Sequence, residues 1–301
     1  MHESATMPGV LAPVVTPFGA DLEPDSGRLI AHCRWLARQG CGLAAFGTNS
    51  EANSLSVAER MTLLDELVAA GLDPGSMLPG TGTCALPDTV ALTRHAVGHG
   101  VRGVLMLPPF YYKGVDDEGL YRGFSEVIER VGDDRLRIYL YHIPQLSGVP
   151  IGIDLIGRLC DAFPGIVAGM KDSSGEPANL ARVLGAFPGF RLYAGTELLL
   201  TDNLRLGGVG CISATANINP GAIVEQYRHW QDDAGPGQQA LDAVRRSVQR
   251  YPMIAALKHV IAHYRDDTEW RRLRPPLTSL AALDGAALIA ELEAVQFRFR
   301  P

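Results

Sequence analysis

Lysine is rare in this chain of 301 residues, so the few positions that keep it are candidates for amine chemistry. Only three of the 27 basic residues are lysines, at 113, 171 and 258, and the others are arginines, which proteins cannot deprotonate. Lys171 directly follows the apolar run 166–170, which predicts an amine at the end of a buried strand. Loss of water there favours the neutral amine, which can attack a carbonyl carbon and form a Schiff base. The alternative is a strand-end lysine that forms an ion pair, for instance with Asp172.

Tyr141 is the predicted partner of this lysine, because it ends the apolar run that precedes 166–170. If the two runs are neighbouring parallel strands, the phenol can move protons to and from an imine on Lys171. Thr48 and Asn49 follow another apolar run and a glycine, and their hydroxyl, amide and backbone N–H groups can bind a small carboxylate. Plainer interpretations remain: an interior aromatic residue for Tyr141, and ordinary turn residues for Thr48 and Asn49.

Short apolar runs that alternate with longer amphipathic segments must position these residues. The runs cover residues 10–15, 42–46, 77–80, 103–107, 136–141, 166–170, 191–194 and 209–213. Helical periodicity lies between them, in 26–39, 57–70, 87–97, 118–131, 153–163, 176–187 and 196–206. Eight such repeats predict an α/β fold, a (β/α)8 TIM barrel, whose active site lies at the carboxyl ends of the strands. An open dinucleotide-binding sheet is disfavoured, because the glycine string at 80–83 lacks the third glycine.

The pattern changes near Pro220, after which helical periodicity continues without strands. The helical segments are 222–231, 239–250, 253–264 and 280–297, and the stretch 232–237 (D-D-A-G-P-G) has the composition of a linker. We therefore predict a catalytic barrel domain over residues 1–231 and a C-terminal helical extension over residues 232–301.

Composition and charge exclude several other functions. A net charge of −6 argues against nucleic acid and anionic membranes as partners. The five cysteines are scattered without a C-x-x-C pair, as in reduced cytosolic proteins. Residues 1–9 do not form a secretory signal, and no apolar run approaches the roughly 20 residues that span a bilayer. We expect a soluble, cytoplasmic protein.

Five short motifs occur in order along the chain and together resemble one known superfamily. They are G-T-N-S-E at 47–51, P-P-F-Y-Y at 108–112, Y-H-I-P-Q-L-S-G at 141–148, G-M-K-D-S-S-G at 169–175 and I-S-A-T-A-N at 212–217. This set resembles the dihydrodipicolinate synthase/N-acetylneuraminate lyase superfamily over essentially the whole chain. Each motif alone is weak, but five in order at predicted strand ends are specific.

The resemblance implies a homotetramer, a dimer of dimers, of barrels that act on pyruvate or a related 2-oxo acid and an aldehyde. It implies no metal and no cofactor other than a covalent imine on Lys171, with Tyr141 as the proton shuttle. Tyr111 would extend into the active site of a neighbouring subunit, where it completes a hydroxyl relay with Thr48 and Tyr141. The residues implied to bind the substrate are Thr48, Asn49, Gly195 and Ile212.

Several positions depart from the patterns of this superfamily. Leu146 lies where the synthases have an arginine that receives the carboxylate of aspartate semialdehyde, and leucine cannot do this. Ala214 replaces a serine of the sialic-acid lyases, and Leu198 replaces an acidic residue. Asn49 and Ser50 replace the usual Thr-Gly pair, and His142 replaces an asparagine. We therefore predict a synthase-like aldolase or lyase that is not a true dihydrodipicolinate synthase.

Three alternatives remain open. The first is a 2-oxo-3-deoxy sugar acid dehydratase on the same scaffold. The second is a metal-dependent aldolase that uses His95 with His99, or His259 with His263, because each pair has i, i+4 spacing on a predicted helix. Both pairs lie away from strand ends and lack the acidic partner of H-E-x-x-H, which disfavours this alternative. The third is a catalytically silent sensor or regulatory barrel, which the presence of both the lysine and the tyrosine disfavours.

Overall fold

The structure, a computed structural model, describes residues 8–231 and 235–300, in which parallel strands alternate with helices. The strands are β1 (Val10–Ala12), β2 (Gly42–Leu43), β3 (Val104–Met106), β4 (Ile138–His142), β5 (Val167–Asp172), β6 (Arg191–Ala194) and β7 (Gly210–Ile212). The α-helices are α1 (Ser26–Arg38), α2 (Val57–Ala69), α3 (Leu86–Gly98), α4 (Asp117–Val131), α5 (Pro144–Ser147), α6 (Ile153–Ala162), α7 (Pro177–Ala186), α8 (Leu200–Arg205), α9 (Pro220–Arg228), α10 (Gly235–Val248), α11 (Met253–Tyr264) and α12 (Ala282–Ala294).

These elements divide into two compact units. The middle unit comprises residues 73–211, and the terminal unit comprises residues 8–72 together with the described residues from 212 onward. The division falls within β7, whereas the sequence predicts a boundary between residues 231 and 232. That domain boundary remains a prediction.

The middle unit contains consecutive parallel strands, each paired with the next along the chain. β3 pairs with β4, β4 with β5, β5 with β6, and β6 with β7. The predicted strand at 77–80 forms only an isolated parallel bridge between Gly80 and Leu105. Pro79 has no N–H to donate, so it contributes to this bridge only by accepting a hydrogen bond from the Leu105 N–H, at 2.9 Å. Seven of the eight predicted strands are confirmed as strands, and the third is present as this bridge.

The terminal unit contains β1 and β2, with helices α1, α2 and α9 to α12. β1 pairs in parallel with β2, and the N–H of Ser213, just after β7, donates to the carbonyl of Leu11 in β1 at 3.2 Å. Helix α11 is the centre of an apolar core that also includes Trp270 and side chains of α10 and α12. None of the helices in the described parts of the chain is long and apolar enough to cross a membrane.

The helix boundaries follow from local capping chemistry. Ser56 accepts from the N–H of Glu59 at 3.1 Å, and the Glu59 carboxylate accepts from the N–H of Ser56 at 2.7 Å, so a capping box begins α2. Gly132 ends α4 in the left-handed conformation. Helix α10 begins inside the predicted linker 232–237, of which residues 232–234 lie outside the described residues. Residues 1–7, most of the segment predicted to lack a secretory signal, also lie outside them.

Candidate active site

Lys171 and Tyr141 lie side by side on neighbouring strands of the middle unit. Tyr141 is opposite Lys171 in the β4–β5 register, so both side chains project from the same face of the sheet. The distance from Lys171 Nζ to the Tyr141 hydroxyl oxygen is 3.3 Å, and the distance to the ring centroid is 4.3 Å. Both side chains are buried, at 3% and 4% exposure. The sequence predicted this pair, and the structure brings it together; the catalytic roles of the two residues stay predictions.

Asp172 does not form the ion pair that was the alternative role for Lys171. Successive side chains of a strand alternate, so Asp172 points to the opposite face of β5. Its carboxylate accepts hydrogen bonds from the Ser174 N–H at 2.8 Å and from Asn179 Nδ2 at 2.7 Å. Among the residues described, no carboxylate pairs with Lys171, whose amine contacts the hydroxyl of Tyr141. The buried amine therefore has a phenol and not a carboxylate as its neighbour.

Aromatic side chains lie beside Lys171 and in the layer that precedes it, toward the amino ends of the strands. Tyr193 in β6 is opposite Lys171 in the β5–β6 register and is fully buried. Tyr139, Gly169 and Arg191 form the preceding layer on the same face. A Cβ on Gly169 would lie 2.8 Å from the Tyr139 ring and 2.9 Å from Arg191 Cβ, so a glycine is needed where these side chains meet. The ring centroids of Tyr139 and Tyr193 are 5.9 Å apart, so the two rings pack together from neighbouring layers.

Gly195, predicted to bind substrate, follows β6 directly at its carboxyl end. Its N–H donates to the carbonyl of Asp172 at 2.6 Å. A Cβ at this position would lie 2.2 Å from Ser173 Oγ and 2.6 Å from Ser173 Cα. Glycine therefore allows the ends of β5 and β6 to approach each other, immediately after Lys171. Its contact with substrate remains a prediction.

Tyr111 lies in the loop between β3 and α4, and the structure does not bring it to Lys171 or Tyr141 within one chain. Its side chain is 74% exposed and meets Tyr112 edge to face, with ring centroids 5.4 Å apart. Lys113 secures this loop, because its amine donates to the carbonyls of Ser147, at 2.6 Å, and Phe110. The expectation that Tyr111 serves a neighbouring subunit stays a prediction.

His142, which the sequence left without a role, fixes the segment that follows β4. Its Nδ1 accepts a hydrogen bond from the N–H of Ile151 at 3.1 Å. Burial lowers the pKa of His142, which favours the neutral ring that this contact requires. The segment between these residues carries Leu146, whose side chain is 64% exposed. Leu146 is therefore exposed, and its correspondence to an arginine of the synthases stays a prediction.

Thr48 and Asn49 lie in the terminal unit, in the short 3₁₀ turn Thr48–Ser50. Both are half-buried, and the carbonyl of Ser50 accepts from the hydroxyl of Thr16 at 2.7 Å. Ile212 is the last residue of β7 and is fully buried. The assignment of these residues to the substrate stays a prediction.

Lys258, for which no sequence pattern indicates a role, holds this turn in a fixed shape through Glu51. Glu51 follows the turn in the left-handed conformation, with φ of 56°. Its side chain is fully buried, and Oε1 accepts from Lys258 Nζ at 2.5 Å. The Lys258 amine also donates to the carbonyl of Arg272 at 2.7 Å, and Glu51 Oε2 accepts from the N–H of Arg274 at 3.1 Å. Burial lowers the pKa of Lys258, and the charge of Glu51 opposes this effect.

Asn217, in the motif at 212–217, links the segment after β1 to the helices of the terminal unit. Its Oδ1 accepts from the N–H of Val15 at 3.0 Å and lies 3.2 Å from His32 Nε2. Its Nδ2 donates to the carbonyls of Pro13 at 3.0 Å and Ala214 at 2.9 Å. This asparagine therefore uses all of its polar capacity on the protein itself.

His32 makes the stability of the protein depend on pH. Arg265 Nη2 lies 2.9 Å from His32 Nδ1 and can only donate, so Nε2 carries the ring proton. Burial and then the charge of Arg265 lower the pKa of His32 from 6.5 to about 3. The unfolded chain therefore binds one proton more between those values, and stability falls as pH decreases through this range.

We expect His32 to lower the free energy of unfolding by about 2 kcal/mol between pH 7 and pH 5. The slope is at most about 1.4 kcal/mol per pH unit. His32→Gln removes this contribution, and urea unfolding at both pH values measures it. His263→Gln, at an exposed position of α11, is the control and keeps the wild-type difference. An equal pH dependence of wild type and His32→Gln would contradict the assignment.

The two histidine pairs considered as metal ligands lie on helices, as the sequence predicted. His95 and His99 are at the end of α3, with ring centroids 4.8 Å apart. His259 in α11 packs against Gly285, where a Cβ would lie 2.2 Å from its Cε1. His263 meets the ring of Tyr264 edge to face. Activity that survives exhaustive chelation would exclude the metal-dependent alternative.

Comparison with known proteins identifies the family. Residues 6–294 match the model of the dihydrodipicolinate synthetase family. The chain belongs to this family. It is 35% identical to an uncharacterized DapA-like lyase of Chloroflexus aurantiacus, over 95% of this chain and 96% of that one. The crystal structure of dihydrodipicolinate synthase from Agrobacterium tumefaciens has a TM-score of 0.90 and 32% identity, over 97% of this chain and 100% of that one.

YagE of Escherichia coli K12 is a further relative, named a putative 2-dehydro-3-deoxy-D-gluconate aldolase. It is 31% identical over 77% of each chain. Its crystal structure, in complex with pyruvate, has a TM-score of 0.89 and 27% identity, over 98% of this chain and 100% of that one. These relationships confirm the predicted fold class, a (β/α)8 barrel with C-terminal helices, and the predicted enzyme class, a lyase of the pyruvate-dependent aldolase family.

Proposed function

We propose that this protein is a class I aldolase or lyase that joins or splits pyruvate, or a related 2-oxo acid, and an aldehyde. The observation that carries the proposal is the buried amine of Lys171, 3.3 Å from the hydroxyl of Tyr141. An amine without a carboxylate partner, beside a phenol, has what imine formation requires: a nucleophile and a group that moves protons.

The reaction begins when the neutral amine of Lys171 attacks the C2 carbonyl carbon of the 2-oxo acid. The carbonyl oxygen takes up protons and leaves as water, and a protonated imine remains. In the cleavage direction the C3–C4 bond breaks, its electron pair forms an enamine, and the C4 hydroxyl loses its proton as the aldehyde leaves. C3 then gains a proton, and water hydrolyses the imine to release pyruvate. Condensation follows the same steps in reverse, and neither direction requires a metal or a separate cofactor.

Tyr141 would supply and remove the protons of the carbinolamine. At 3.3 Å its hydroxyl is within reach of the nitrogen that forms the imine, and so of the oxygen that leaves the adjacent carbon. Tyr111 from a neighbouring subunit and Thr48 would complete a hydroxyl relay with it. The 2-oxo acid would bind Thr48, Asn49, Gly195 and Ile212.

Leu146 is the basis for the proposed second substrate. An exposed leucine after β4 cannot hold the carboxylate of aspartate semialdehyde, so the favoured partner is an aldehyde without that group. The similarity to YagE, named a putative 2-dehydro-3-deoxy-D-gluconate aldolase, supports a polyhydroxylated chain at this position. The substrate class we propose is therefore a 2-oxo-3-deoxy sugar acid or the aldehyde obtained from it.

A substrate panel tests this proposal. The enzyme is incubated with 2-oxo-3-deoxy sugar acids and with pyruvate plus aldehydes that include aspartate semialdehyde, and pyruvate release or consumption is measured. We expect turnover with the sugar acids and none with aspartate semialdehyde. Loss of a sugar acid without pyruvate release would identify the dehydratase, and turnover of aspartate semialdehyde would refute the inference from Leu146. A silent barrel would turn over none of these compounds.

Substitution of Tyr141 by phenylalanine tests the proton shuttle. We expect turnover to fall about 10²-fold or more, because a positioned acid–base group contributes at this scale, while an adduct with pyruvate still forms slowly. Single-turnover kinetics with the best substrate of the panel measure the effect. Tyr112→Phe, at a tyrosine that is 70% exposed, is the matched control and should retain activity. Near-normal turnover of Tyr141→Phe would refute the shuttle role.

The proposal also includes the assembly and the location of the enzyme. We propose a cytoplasmic homotetramer. The exposure of Tyr111 supports an assembly, because this side chain is 74% exposed in one chain and would need a second copy to reach an active site. Light scattering gives the mass in solution. A monomer with full activity would show that no tyrosine from another subunit is required.

A further inference from the structure

A cavity of about 900 Å³ lies at the amino ends of the strands of the middle unit. Its distinguishing feature is a set of arginines: Arg102, Arg135, Arg137 and Arg191. Three of them have equivalent places in the fold, since Arg102 precedes β3, Arg137 precedes β4 and Arg191 begins β6. Parallel strands bring their amino ends to the same edge of a sheet, so these guanidinium groups converge.

This cavity is separate from the site at Lys171. The part of its wall nearest to Lys171 is the layer of Tyr139 and Arg191, which is in register with Gly169, two residues or about 7 Å before Lys171 along β5. The ring of Tyr139 forms the cavity wall on this side, and Tyr193 lies beyond it, beside Lys171 on the same face of the sheet. A ligand in the cavity is therefore outside contact distance of the Lys171 amine.

The positive charge of the cavity is only partly neutralised by the protein. Of the described residues that line it, none carries a carboxylate. Arg135 is paired with Asp133 at 2.7 Å, whereas Arg137 donates at 2.7 Å to the carbonyls of Asp134 and Leu136. Arg191 is half-buried, and its Nε is buried without a hydrogen-bond partner. Arg191 therefore brings its charge to a cavity whose lining offers no carboxylate to neutralise it.

Three of the guanidinium groups affect the same group, the hydroxyl of Tyr139. Burial raises the pKa of its hydroxyl, while the charges of Arg191, Arg102 and Arg137 act in the opposite direction. Arg191 also interacts with the phenol oxygens of Tyr139 and Tyr193. Tyr139, which is itself part of the cavity wall, thus lies within the influence of three guanidinium groups.

The remaining walls are apolar and aromatic. Phe187 and Phe190 line the cavity, with ring centroids 6.0 Å apart, and Phe187 is half-buried. The volume is within the range of sites for small organic ligands and is much larger than a bare oxyanion needs. Guanidinium groups match the geometry and charge of phosphate. We propose that this cavity is a binding site for an organic phosphate, with the phosphoryl group on Arg191, Arg137 and Arg102 and the organic part against Phe187.

Calorimetric titration of the full-length protein tests this site with three probes: adenosine monophosphate, inorganic phosphate and adenosine. We expect adenosine monophosphate to bind more tightly than inorganic phosphate and adenosine not to bind. Arg191→Gln and, separately, Arg137→Gln should weaken binding about 10-fold to 100-fold, as expected for loss of one charge-assisted contact. Arg122→Gln removes an exposed arginine of α4 that pairs with Glu118 and should leave binding unchanged. Thermal melting verifies that each variant is folded.

Lys171→Ala separates this site from the proposed active site, because the variant should bind adenosine monophosphate as the wild type does. Loss of binding in Lys171→Ala would place the anion at the active site and overturn the proposal. Equal binding of adenosine and adenosine monophosphate would overturn it as well, as would wild-type affinity in both arginine variants. Inorganic phosphate that binds as tightly as adenosine monophosphate would refute the contribution of Phe187.

Discussion

Substitution of Lys171 by alanine is expected to abolish the covalent adduct with pyruvate and to lower turnover by roughly 10⁴-fold or more, the scale seen when a catalytic nucleophile is removed. The reason is chemical, since the amines of the other two lysines are engaged elsewhere: that of Lys113 donates to backbone carbonyls, and that of Lys258 is paired with Glu51. The measurement is reduction with borohydride in the presence of pyruvate, followed by peptide mass spectrometry. The wild type should gain the mass of pyruvate less water plus two hydrogens, on Lys171.

Lys113→Ala is the matched control, because it removes an exposed lysine and should keep the adduct. Lys171→Arg keeps a positive charge but cannot form an imine, so it should behave like the alanine variant. A wild-type protein that traps none of several 2-oxo acids would refute the Schiff-base proposal. An adduct that persists in Lys171→Ala would move the nucleophile to another residue.

The pair of Lys171 and Tyr141 could be predicted because it depends on local rules. An apolar run predicts a strand, alternating strands and helices predict a parallel sheet, and residues at the carboxyl ends of adjacent strands then lie together. The same rule applied to the opposite edge would have found Arg102, Arg137 and Arg191, which stand where three strands begin. The amino ends of barrel strands do not usually carry the active site, so the fold class alone predicts no site there.

The contact between Lys258 and Glu51 could not be predicted, because 207 residues separate them in sequence. Helical periodicity predicted α11 but not that nearly its whole surface is buried, which depends on the packing of α10, α12 and Trp270 around it. The third predicted strand forms only a bridge, for a different reason. Pro79 lies within a run that is apolar enough for a strand, but it cannot donate to the ladder.

Lys258→Met is expected to destabilise the protein by about 3–5 kcal/mol, because it leaves the fully buried carboxylate of Glu51 without its cation. The amine also stabilises this region by its contacts with the Arg272 carbonyl, at 2.7 Å, and with the ring of Phe18, whose centroid is 4.5 Å away. Urea unfolding measures the loss. Lys113→Met, at an exposed lysine, is the control and should change stability by less than about 1 kcal/mol.

A second substitution distinguishes the loss of an ion pair from the loss of a packed side chain. Glu51→Gln in the Lys258→Met background removes the unpaired charge, so we expect it to recover part of the lost stability, whereas the same change in the wild type should destabilise. Glu51 directly follows the turn Thr48–Ser50 and holds a left-handed conformation that its buried contacts maintain. The folded fraction of Lys258→Met should therefore also show a raised KM for pyruvate, with a smaller change in kcat. Unchanged KM in this variant would mean that the ion pair supports the fold of the terminal unit without positioning the turn at residues 48–50.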